Sequence, residues 1–83
     1  MTFTPINRFE TQLNQEIRFR LTQGSIADPV IYKVISILGE EHEKGHRFLE
    51  NLDGRCIEYS PTQNRLGSIM LPWGYMVEAK LKN

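Results

Sequence analysis

From residue 16 onward, glycine and proline cut the chain into short runs. Gly24, Pro29, Gly39, Gly45, Gly54, Pro61, Gly67, Pro72 and Gly74 stand singly and read as turn positions, not as a glycine-rich phosphate loop. The runs between them are patterned as strands. Glu16-Ile17-Arg18-Phe19-Arg20-Leu21 alternates polar and apolar, the period of a half-buried strand, and predicts one over about 16–22. Residues 30–38, VIYKVISIL, are dense in β-branched and aromatic side chains, which suit a pleated surface and lose rotamer freedom in a helix. They predict a central strand, although Asp28-Pro29 ahead of them would also serve as an N-cap and first helical residue. Gly67 to Leu71 reads as a short strand closed by Pro72, Trp73-Gly74 as a turn, and Tyr75 to Leu81 as the last strand.

Two segments read differently. Thr4-Pro5 has the form of an N-cap followed by proline at the first helical position, and Ile6, Phe9, Leu13 and Ile17 recur at helical spacing. These predict a short helix over about 5–14. Asp53-Gly54 favours a tight hairpin turn that folds FLENL onto RCIEY. That pairing sets Phe48 opposite Tyr59 and Leu52 opposite Arg55, with Phe48, Leu52, Ile57 and Tyr59 on one face and Glu50 as its misfit. The competing reading is a helix over 40–52, in which Gly45 would cost about 1 kcal/mol relative to alanine.

The closing strand–turn–strand, PWGYMVEAKL, has SH3-like character without a motif specific to any family. The expected architecture is therefore mainly β: a small SH3-like antiparallel barrel of five or six strands with a short N-terminal helix. The alternative is α+β, with residues 40–52 helical. Residues 1–83 make a single domain, and a chain this short buries only about 60–65% of its surface, so its thin core gains from a partner chain.

Charge and cysteine content narrow the function classes. Ten basic residues balance ten acidic ones, against the basic excess usual in a nucleic-acid-binding domain. Cys56 is the single cysteine, which rules out an internal disulfide and a cysteine-rich zinc site and suits a reducing compartment. The N-terminal residues lack a secretory pattern, and no apolar run approaches the ~20 residues needed to cross a bilayer. A soluble, cytoplasmic protein with no membrane partner is expected.

HEKGH at 42–46 matches H-E-x-x-H. On a helix, His42 and His46 would share one face and one zinc, with Glu43 as general base. The chain has no third histidine and no zincin-type extension after His46, and Lys44 and Arg47 put charge where a zinc helix is buried. The match is read as fortuitous: no cofactor, no catalytic residues, and His42 and His46 only as weak metal candidates. Arg18 and Arg20, joined by Arg47, Arg55 and Arg65 in a basic face and with Tyr59, Trp73 or Tyr75 as stacking surfaces, would instead suit a single-stranded nucleic acid. Leu71, Trp73, Tyr75 and Met76 would suit an exposed apolar patch. The expected function is a non-catalytic adaptor or regulatory module. It would bind a protein partner or a second copy of itself through Trp73, Tyr75, Tyr59, Arg18 and Arg20. Nucleic-acid binding and a zinc site are the alternatives.

Overall fold

The computed structural model describes residues 2–21, 30–38 and 45–80. They form one antiparallel sheet of eight strands: β1 (Phe3–Ile6), β2 (Glu16–Arg20), β3 (Tyr32–Leu38), β4 (His46–Asn51), β5 (Cys56–Ser60), β6 (Arg65–Leu66), β7 (Ile69–Met70) and β8 (Met76–Lys80). The spatial order is β1-β8-β2-β3-β4-β5-β6-β7. The mainly β expectation holds, and β3 lies in the middle of the sheet as its composition predicts. No pairing among the described residues joins β1 to β7, so the sheet stays open where a closed barrel was expected.

Register sorts the side chains onto two faces. Ile17 and Phe19 of β2 stand opposite Ala79 and Val77 of β8, while Arg18 stands opposite Glu78 on the other face. The first face carries the core: Ile17, Phe19, Val34, Leu49, Tyr59, Val77 and Ala79, extended by Leu71 and Tyr75. Phe19 is its hub, meeting Tyr59 edge-on at 5.1 Å and Tyr32 at 5.8 Å between ring centroids.

The N-terminal helix over 5–14 is corrected to a strand and a single turn. Phe3–Ile6 pairs with β8, and Pro5, with no N–H to give, is tolerated because β1 is an outer strand. Asn7 then accepts a hydrogen bond from the Phe9 backbone and starts one 3-10 turn, Arg8–Glu10. Ile17 is buried, whereas Leu13, nominally on the same helical stripe, is 55% exposed. Pairing with β8, distant in sequence, outweighs the local period.

The helix over 40–52 is overturned for residues 46–51, which form β4; residues 40–44 lie outside the described residues. The hairpin exists, but one residue out of the expected register: Arg47 faces Tyr59, Phe48 faces Glu58 and Leu49 faces Ile57. The turn explains the slip. Only Gly54 takes positive φ, +81°, so the connection is the longer loop Leu52-Asp53-Gly54 and not a two-residue type I′ turn. The Asn51 side chain accepts from the backbones of Asp53 and Arg55 and closes it. A one-residue slip exchanges the two faces of a strand. Leu49 and Arg47 therefore point into the core, and Leu52 is left 88% exposed.

This register sets a test. Leu49→Ala should cost about 2–5 kcal/mol of unfolding free energy, as for a buried leucine, while Leu52→Ala should leave the urea midpoint unchanged. The expected hairpin register demands the reverse order.

Candidate functional site

The two arginines of β2 do not form a free basic face. Arg18 Nε donates to Glu78 Oε1 at 2.8 Å and Arg20 Nε to Glu78 Oε2 at 2.9 Å, so one carboxylate holds both guanidiniums. Arg18 also lies 4.3 Å over the Phe3 ring. Hydrogen bonding from Arg20 comes first, with Arg18 adding to it, and together they hold the Glu78 carboxyl below the usual carboxylate range despite burial.

Tyr59 and Tyr75, the expected stacking surfaces, are buried. Their hydroxyls lie 2.7 Å apart, and Tyr75 donates onward to Asn64 Oδ1 at 3.1 Å, leaving Tyr59 as donor to Tyr75. Burial raises both phenol pKa values. These tyrosines are structural. They hold the 61–64 turn against the segment after β7, where the Leu71 backbone also donates to Asn64 at 2.7 Å.

That anchoring positions the most exposed large apolar side chain among the described residues. Trp73 is 97% exposed in a turn closed by the Tyr75 backbone donating to Pro72, with Gly74 at φ +84°. Ile69 and Met70 of β7 are 67% and 64% exposed. The loop between β6 and β7 depends on Gly67, whose φ is +61° and where a Cβ would lie 2.9 Å from Ile57 Cδ1. The expected patch of Leu71, Trp73, Tyr75 and Met76 is thus corrected. Leu71 and Tyr75 turn inward as anchors, and the exposed members are Ile69, Met70 and Trp73. The alternation around Leu71 was the signal in the sequence: once Leu71 is inside, Met70 is outside.

Two arginines lie at this end of the sheet. Arg65 stands opposite Met70 and donates to the neutral Gln63 side chain at 2.7 Å. Arg8 donates to the Pro61 carbonyl at 3.2 Å and lies over the Phe9 and Tyr75 rings. Among the described residues, neither forms an ion pair.

The metal candidates do not come together as a helix pair. His46 opens β4 and contacts the Glu58 carboxylate through Nδ1, and His42 lies outside the described residues. A strand position deprives His46 of the i, i+4 helical geometry that the signature requires. No helix among the described residues is long and apolar enough to cross a membrane. Comparison with family models, curated proteins and solved structures finds no match to this chain.

The Glu78 clamp predicts an acid limb in stability. Its carboxyl pKa is lower folded than unfolded, so the contribution is complete above the unfolded value of about 4.3 and is lost as pH falls through the folded value. Glu78→Gln should lower stability at pH 7 by about 1–3 kcal/mol. It should also flatten the decline below pH 4.3 in urea unfolding followed against pH. An acid limb of unchanged size in the variant would assign it to other carboxylates.

Proposed function

We propose that the protein is a non-catalytic module that binds a partner protein through the β7 edge, with Trp73 as anchor. The observation that carries this is a tryptophan 97% exposed yet held in place on both sides by buried Leu71 and Tyr75. An exposed tryptophan on a held turn offers a large amphipathic contact area with only two side-chain torsions to order, and tryptophan is among the residue types most enriched at interface hot spots. Ile69 and Met70, on opposite faces of β7, add exposed apolar area on either side of that edge. Cys56, exposed and unpaired, favours a reducing compartment, and we place the protein in the cytoplasm on that ground.

The nucleic-acid reading loses most of its support. Arg18 and Arg20 are both engaged by the Glu78 carboxylate, which offsets one of their two charges, two of the three candidate stacking rings are buried, and net charge is zero. Ile69 and Met70 offer no stacking surface.

The tagged full chain should capture a reproducible partner that is retained by Leu52→Ser and reduced at least about tenfold by Trp73→Ala, the effect of a hot-spot residue. The Trp73→Ala chain should keep its urea midpoint, since the side chain packs on nothing. Capture indifferent to Trp73 would sink the proposal. So would salt-sensitive binding of a random oligonucleotide in place of a protein.

A further inference from the structure

Resting on that protein-binding reading, we propose that the occupant of the β7 edge is an extended, acidic segment of the partner, which adds to the sheet as a further strand. It would bring an apolar side chain to Trp73 and a carboxylate to Arg65.

The backbone argument comes first. In an antiparallel ladder, alternate residues turn their N–H and C=O toward the neighbouring strand and away from it. The Leu71 N–H points to Asn64 on the β6 side, and Ile69 pairs with Leu66 in the same phase. Met70 therefore presents its N–H and C=O outward, to the open side of the sheet. Edges left this way are templates for another strand, and proteins usually blunt them with proline or charge. The opposite edge is blunted, because β1 carries Pro5. β7 itself carries no proline or charge, and its two-residue length, with Pro72 two positions after Met70, confines the open edge to the Met70 backbone.

The charge argument selects the sign. Arg65 lies beside Met70 and Arg8 lies against Tyr75, two residues on from Trp73, and neither has a carboxylate partner among the described residues. Glu58 is engaged by His46 instead. Arg65 thus places a cation beside Met70 that a partner's carboxylate would complete. Area selects a segment over a second copy of this chain. Trp73, Ile69 and Met70 together present on the order of 400 Å², about half of what a standard interface buries per partner. Strand addition to a sheet edge needs less, because main-chain hydrogen bonds supply part of the affinity.

Trp73 is the single tryptophan, so its fluorescence reports on the site directly. The intact chain would be titrated with four short capped peptides: alternating Glu and Val, alternating Lys and Val, and the Glu peptide N-methylated at alternate backbone nitrogens in each of the two phases. The Glu peptide should blue-shift Trp73 saturably. It should bind about fivefold or more tighter than the Lys peptide in low salt, and Arg65→Glu should reverse that order. N-methylation should abolish binding in one methylation phase and spare it in the other. Equal binding of the Glu and Lys peptides would overturn the acidic assignment, and indifference to methylation in both phases would overturn strand addition. Concentration-dependent self-association lost in Trp73→Ala would make a second copy the occupant and overturn the proposal. If no peptide binds but Trp73-dependent partner capture persists, this inference fails and the protein-binding reading stands. If capture also ignores Trp73, both fail.

Discussion

Much of the fold hangs on one buried guanidinium. Arg47 has no exposed surface, and its donors reach three places: Thr11 Oγ1 at 2.7 Å, the Gly45 carbonyl at 2.5 Å and the Phe9 carbonyl at 3.0 Å. Desolvation lowers its pKa, yet a guanidinium keeps its proton in proteins. Burying such a charge costs several kcal/mol. Hydrogen bonds to a charged donor return about 1.5–3 kcal/mol each, so three of them offset most of that cost. What the arrangement achieves is positional: it ties the segment between β1 and β2 to the start of β4. Arg8 and Phe9 belong to that segment, and through them Arg47 bears on the packing beside Tyr75 and on the exposed turn that follows β7.

The same residue explains why the hairpin register was hard to read. From sequence, β4 offers two faces, one with Phe48, Glu50 and Leu52 and one with Arg47, Leu49 and Asn51. The first holds more apolar surface and looks like the inside. The second is chosen because Arg47's partners lie at Gly45 and, far back in the chain, at Phe9 and Thr11, and because the Asn51 side chain closes a three-residue loop. Neither compensation has a periodic signature. Where burial alone decides, as in Ile17 and Phe19 of β2, the alternation was legible and the strand lies where it was expected. The N-terminal segment failed for the opposite reason: its helical spacing was visible, and its pairing with β8 was not.

The site was legible in kind rather than in its members. Trp73 was recognisable as a turn residue between Pro72 and Gly74, and it is exposed. Arg18 and Arg20 looked like a basic face because Glu78 sits 60 and 58 positions away and is only one polar residue in a strand pattern. Tyr59 and Tyr75 looked like ligand platforms because aromatic side chains suit either a core or an interface. Only their mutual hydrogen bond and the onward bond to Asn64 decide for the core.

The two edges of the sheet are treated unequally, and folding alone does not account for the difference. β1 ends the sheet with a proline and a strand whose Phe3 is covered by Arg18. β7 ends it with isoleucine and methionine. Leu66 lies opposite Tyr59 and Ile69 opposite Leu66, so Ile69 falls on the core side by register, yet it remains 67% exposed because the core does not extend that far. A polar residue there would leave the packing of Tyr59, Leu71 and Tyr75 intact and would remove an aggregation hazard. One such position is unremarkable on any protein surface. Three within five residues, including a tryptophan 97% exposed, with Arg65 opposite Met70 and without a carboxylate partner among the described residues, make an edge whose packing does not call for apolar side chains. A partner segment of the kind proposed would account for its apolarity.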